Sequence, residues 1–372
     1  MTQYRMIRRV ALTGALALPI LTTGCGIFSQ EASKQIDPPQ NTSQNATGAA
    51  NETAAGQAGA TEQTTTQPTG TETAVQGDQT QLTVYLKDQH QLLAPVSVLA
   101  SLEGNQKAGQ KALELMVAEG PYAAELPIGF EAVLPKGTIV NDLTIEDDQK
   151  LAMVDLSSSF GNYAPEEERR IVEAVTWTLT SLPGVNKVQL SVDGVKLGEM
   201  PVDRFPLDEP LTRAVGINLE VDEGVDYSQS TPVTLYFSSV SPSDESYYVP
   251  VTRLIDRTDN KAKSAIQELI AGPLDSITGN GSLIPVSTPD VVVKSIEKGA
   301  DVVSIALEDS AYVEGQKMPA ELLEALVLSL TENTGIGKVQ ISINGSSNIM
   351  DTNNVDYSKP VSRPEVVNAI KS

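Results

Sequence analysis

The 372 residues contain one histidine and one cysteine. With so few, no Cys/His zinc site can be assembled and an intrachain disulfide is impossible. A Ser-His-Asp triad would have to use His90, which sits in the polar stretch Lys87–Gln91 just after an alternating strand pattern and reads as an exposed loop residue. Aromatic residues make up only 4%, with a single tryptophan, so any core must be aliphatic. Cations are also scarce. Lys and Arg number 26 against 48 Asp and Glu, a formal net charge of −22. That excludes a nucleic-acid binder, since nothing here would neutralise phosphates, and it excludes general attraction to anionic lipid surfaces. No glycine-rich phosphate loop is present, because Gly279–Ser282 precedes no lysine-bearing helix start, and no calcium loop matches. No cofactor, no metal and no small-molecule substrate are expected.

The N-terminus gives the lone cysteine a reason. Arg5, Arg8 and Arg9 form a positive region, Val10–Leu21 a short apolar one, and Thr22, Thr23 and Gly24 lead into Cys25. The apolar run is too short to span a bilayer with ease, which takes about 20 residues. Residues 1–24 have the layout of a secretory signal. Because the small residues end on Cys, the segment resembles a bacterial lipoprotein signal. The resemblance implies that Cys25 is diacylated and becomes the membrane anchor. An ordinary signal or an uncleaved short anchor is the alternative. Residues 25–80 are then a Thr/Gln/Ala/Gly-rich tether, with too little hydrophobicity to offset the entropy of ordering. A flexible chain of that length spans roughly 40 Å.

The rest of the chain is written twice. Ile171–Gly194 (IVEAVTWTLTSLPGVNKVQLSVDG) aligns with Leu322–Gly345 (LLEALVLSLTENTGIGKVQISING) at an offset of 151 residues, with ten of 24 positions identical. Leu82–Leu86 (LTVYL) likewise matches Val233–Phe237 (VTLYF), Pro95–Val96 matches Pro250–Val251, and PLTR ending at Arg213 matches PVSR ending at Arg363. A period this long means two tandem domains rather than a solenoid. Their expected bounds are 81–218 and 231–370, each with its own core, joined by a short acidic connection.

Within the first unit, Leu82–Leu86 alternates as a strand. A helix around Ala108–Ala118 stops at Gly120-Pro121. Thr138–Ile145 and Leu151–Leu156 read as strands. Glu166–Ser181 reads as a helix opened by Pro165, and Lys187–Val192 as a strand before the Asp193-Gly194 turn. The second unit repeats this order. The fold class is α+β: two tandem copies of a two-layer βαββαβ domain, a mixed sheet with helices on one face. Strand Leu82–Leu86 is expected to be an edge available for pairing with a neighbour.

These helix–strand phrases, the helix-ending EGP and AGP, and VDLSSSF at Val154 resemble the GerMN domain family. Two copies behind a lipoprotein signal are similar to sporulation and germination lipoproteins of endospore-forming bacteria. The resemblance implies a non-enzymatic scaffold, lipid-anchored at the outer face of the mother-cell membrane. Its partners would be sporulation channel proteins in the intermembrane space before the forespore. It also implies kinship with the ring-building modules of secretion systems, which assemble side to side. The second copy departs at IALEDSA (Ile305–Ala311), where the first has VDLSSSF.

The other reading is a cell-wall hydrolase or its regulator, which needs paired carboxylates. Asp155, Glu173 and Asp193 are the candidates. Asp155 becomes Ala306 in the second copy, Asp193 sits where turns favour Asp, and Glu173 lies between apolar helix positions, so each reads better as structural. Trp177 falls about 120° off the apolar stripe Ile171–Val175–Leu179–Leu182 at 100° per residue, as does its counterpart Leu328. Two readings stand: packing inside the molecule, or exposed anchors for a partner.

Overall fold

The computed structural model describes residues 79–369, apart from 103, 105 and 275–281. Cys25, the signal 1–24 and the tether up to residue 78 lie outside the described residues. The first repeat opens with an antiparallel hairpin of β1 (Gln79–Asp88) and β2 (Leu93–Ser101), followed by α1 (Ala108–Leu115) and β3 (Phe130–Glu131). Then come β4 (Val140–Glu146), β5 (Leu151–Leu156), α2 (Glu168–Leu179), β6 (Lys187–Val192) and β7 (Val195–Lys196). The second repeat has β9 (Ser230–Val240), β10 (Ser246–Asp256), α3 (Lys261–Ala271), β11 (Val291–Lys298) and β12 (Val303–Asp309). It closes with α4 (Ala320–Thr334), β13 (Lys338–Ile343) and β14 (Val361–Ser362). Between the repeats, β8 (Glu220–Val221) belongs to the connection.

Both repeats are α+β, and each divides its strands between two sheets. The larger sheets run β4-β5-β6-β7 and β11-β12-β13-β14. They are mixed: β5 and β6 are parallel, as are β12 and β13, because α2 and α4 carry the chain across. The smaller sheets run β2-β1-β3 and β8-β10-β9. The order expected from sequence therefore gains a long second strand in each repeat, β2 or β10, besides the two-residue strands β3, β7 and β14. β2 (LAPVSVLAS) and β10 hide that identity because each is buried without alternation over most of its length and carries a proline. Proline is tolerated in a strand only where no neighbour needs its N–H. Pro95 lies in an edge strand, and Pro250 lies beyond the stretch of β10 that β8 covers.

The expected open edge at Leu82–Leu86 is occupied. β2 pairs along one side of β1, and on the other the Tyr85 amide donates to Thr178 Oγ1 of α2 at 3.0 Å. The second repeat does the same, with the Tyr236 amide donating to Ser329 Oγ of α4 at 3.1 Å. Each helix is thus covered on a second face, which is why every residue of α2 from Ile171 to Leu179 is buried. The two cores, expected to be separate, run into one connected set of apolar side chains.

The connection is held as firmly as a core element. β8 pairs in parallel with β10, and Glu220 Oε1 accepts from Nε of the wholly buried Arg253 at 2.7 Å. Arg253 also donates to Glu268 Oε2 and to the Gly272 carbonyl, both at 2.8 Å. Such a cluster balances only when its geometry satisfies every charge.

Candidate interaction site

Arg213, Arg363, Glu332 and Trp177 converge where the two repeats meet. Each repeat ends in a tail, 213–218 or 363–368, that crosses to the other repeat. Ile217 N donates to Thr252 Oγ1 of β10 and its carbonyl accepts from Thr252 N at 2.8 Å. In the reverse direction, Ser97 Oγ of β2 donates to the Val367 carbonyl at 2.8 Å and Ser97 N to the Asn368 carbonyl.

Each tail delivers an asparagine between β2 and β10. Asn218 Nδ2 donates to the carbonyls of Leu93 and Pro250, both at 2.8 Å, while its Oδ1 accepts from Leu93 N at 2.9 Å. Asn368 repeats the pattern with the strands exchanged: Nδ2 donates to Tyr248 O and Pro95 O, and Oδ1 accepts from Tyr248 N, all at 2.7 Å. Both asparagines hold positive φ, +46° and +59°, a region Asn visits more readily than most residues. The prolines explain the device. Pro95 and Pro250 have carbonyls but no N–H, so side-chain amides supply the donors.

Beside this clasp lies a half-buried charge cluster. Arg213 donates through Nη1 to both oxygens of Glu332 at 2.9 and 3.1 Å, and through Nε and Nη2 to Thr180 and Ser181. Arg363 pairs with the same glutamate at 3.1 Å and donates to Leu328 O, Thr331 Oγ1 and Tyr236 Oη. Burial alone would raise the Glu332 carboxyl, but the two guanidiniums hold it below the ordinary carboxylate range. Burial also pushes the Tyr85 and Tyr236 hydroxyls up. A cavity of about 400 Å³ opens here, lined in part by Tyr85, Arg213, Arg363 and Glu365. The arginines facing it are largely committed to the protein's own acceptors.

Trp177 belongs to this cluster and is wholly buried. Its ring tilts against Tyr85 at 5.5 Å, the Arg213 guanidinium lies 4.4 Å from its centroid, and Nε1 donates to the Gly216 carbonyl at 2.7 Å. Leu328 is likewise buried, against Tyr236 and Val367. The reading of Trp177 and Leu328 as exposed anchors is corrected: the tails cover both side chains. The carboxylate candidates lie on separate elements. Asp155 accepts from the Gly194 amide and the Asn141 side chain, pinning the turn that holds Asp193. Glu173 accepts from Arg169 Nε at 2.7 Å and from Asn218 N at 3.1 Å. Burial raises its carboxyl despite Arg169. His90 is exposed in the β1–β2 turn. The asparagines were missed, although Asn218 and Asn368 both lie five residues after an aligned arginine.

The comparisons agree with this architecture. A family model described as sporulation and spore germination, Germane, matches residues 83–198 and 234–348. The spore germination protein GerM of Bacillus subtilis (strain 168) is 35% identical over 371 residues, covering 96% of this chain and 97% of that protein. The solved tandem GerMN domains of the sporulation protein GerM from Bacillus subtilis superpose with a TM-score of 0.71 at 33% identity, covering 79% of this chain and 100% of that one. No helix among the described residues is long and apolar enough to cross a membrane. The chain belongs to the Germane family of sporulation and spore-germination proteins and carries its GerMN domains in tandem.

Proposed function

We propose that the chain is a non-enzymatic, membrane-tethered scaffold that supports a multiprotein channel between mother cell and forespore. Cys25 carries the lipid, and the following polar segment holds the tandem domains off the outer face of the mother-cell membrane. The domains then contact channel proteins in the intermembrane space. One observation carries this reading. The carboxylates singled out in the sequence and the charges between the repeats are spent on the fold itself: Glu173 on a tail amide, Asp155 on a turn, and Arg213, Arg363 and Glu332 on one another. What remains outward is an acidic surface, suited to a basic partner and to salt-sensitive association.

The test is cross-linked capture from sporulating cells with the full chain as bait, beside Cys25→Ala. Channel proteins should be captured by the parent, and the variant should leave the membrane fraction. If the purified chain turns over peptidoglycan and Glu173→Gln abolishes that turnover, the scaffold reading fails.

A further inference from the structure

Glu173 of α2 and Glu324 of α4 are counterparts at the 151-residue offset. Their surroundings differ in charge. In the first repeat, Arg169 lies one turn earlier and donates Nε to Glu173 at 2.7 Å, and Arg170 adds a second positive field. In the second repeat the same two positions are Ala320 and Glu321. A pair of cations has become a methyl group and a carboxylate.

The other groups around Glu324 do not replace that charge. The Tyr248 hydroxyl of β10, which donates to the Glu321 carbonyl at 3.5 Å, holds the Glu324 carboxyl down, and the charges bearing on Glu324 are those of Asp351 and Glu321. Burial first, and then these two carboxylates, push the Glu324 carboxyl up. Asp351 itself is fully buried. Its Oδ1 accepts from the Val355 amide at 2.7 Å, while Oδ2 has no hydrogen-bond partner among the described residues. Its charge also bears on the neighbouring Tyr357 hydroxyl. A buried carboxylate oxygen without a donor is costly.

Glu321, Glu324 and Tyr248, though not Asp351, line a cavity of about 130 Å³ together with Ala320 and Asn353 among others. That is several times the ~30 Å³ one water occupies in the liquid. Among the described residues no group of three acidic, His or Cys side chains is placed to hold a metal ion. The site thus favours an organic cation that brings its own donors.

We propose that this cavity receives an arginine side chain from a basic segment of a partner protein, restoring in trans the ion pair that Arg169 makes in cis. Arginine suits it better than lysine. Its planar fork can serve Glu321 and Glu324 together, and it sheds water more readily than an ammonium. The identity of the partner rests on the scaffold reading; the chemistry of the cavity does not.

The experiment uses Nα-acetyl-arginine methylamide as probe and the citrulline analogue, its uncharged isostere, as control. The reporter is the side-chain carboxyl resonance of Glu324 in chain labelled at glutamate. A saturable shift with the arginine probe, absent with citrulline, is expected. Ala320→Arg places a guanidinium one turn before Glu324, as Arg169 stands before Glu173 in the first repeat, and should abolish the shift while the chain stays folded. Glu324→Gln, followed through the Tyr248 ring, should weaken binding by about tenfold or more. No saturable shift, an equal shift with citrulline, or a shift that survives Ala320→Arg overturns the proposal. In sporulating cells Ala320→Arg should lose cross-linked capture of channel proteins that the parent retains. Equal capture by both removes the cavity from the partner contact and leaves the scaffold reading intact. No capture by the parent removes the scaffold reading and the partner with it, whatever the probe shows.

Discussion

At the scale of single residues, Glu332 shows how one side chain can serve two domains. Its first-repeat counterpart is Ser181, which accepts from Arg213 without a charge. Replacing Glu332 by Gln leaves two largely buried guanidiniums facing each other, and the expected cost is about 3 kcal/mol, read by chemical denaturation. The pH dependence has a definite sign. The folded carboxyl lies below its unfolded value, so its contribution is present above about pH 4.3 and is lost as pH falls through the folded value. Glu173 and Glu324, held above their unfolded values, work the other way and subtract stability as pH rises past about 4.3. Removing Glu332 should therefore flatten the acid side of the melting profile; a profile parallel to the parent's would refute its role. Little of this could be read from sequence. Helical spacing set Trp177 and Leu328 off the apolar stripe and left open whether they are buried. It could not show that tails 35 or more residues further on fold back over them.

At the scale of elements, the sequence revealed the strands that alternate and the helices that recur, and concealed β2 and β10. A strand buried on both faces loses its period-two signal, and a proline inside it argues against a strand at all. The same prolines create the need for the asparagine clasp, so the unread strand and the unread site have one cause. The clasp makes a crossed prediction. Asn218→Ala should speed hydrogen exchange at the Leu93 amide, and Asn368→Ala at the Tyr248 amide, each with a loss of about 1–3 kcal/mol. Matching exchange at both amides in both variants would mean that the junction opens as a whole and that the asparagines do not act locally.

At the scale of the whole molecule, the duplicated halves behave as one body. The Tyr247 hydroxyl of the second repeat donates to Asp88 Oδ2 of the first at 2.8 Å, and Phe130 packs edge-on against Tyr247. Gly129 comes so close to the second repeat that an added Cβ would lie 2.4 Å from Pro242 Cδ, at a φ of +90°. With the cores continuous, calorimetry should record a single transition for residues 79–369. Gly129→Ala should destabilise the body by about 2 kcal/mol or more and favour two transitions. Two transitions in the parent would show that the junction is weaker than its contacts imply. The crossing tails carry a last consequence. Each asparagine meets its own repeat's strand at one residue and the opposite repeat's proline at the other, so the contact is self-complementary, as in a two-fold homodimer. The chain has the form of an ancestral homodimer whose subunits were fused end to end. A gene encoding residues 79–222 alone should restore the ancestor: its product should pair through Asn218 and Pro95 of two identical copies, and Asn218→Ala should return it to monomer in light scattering.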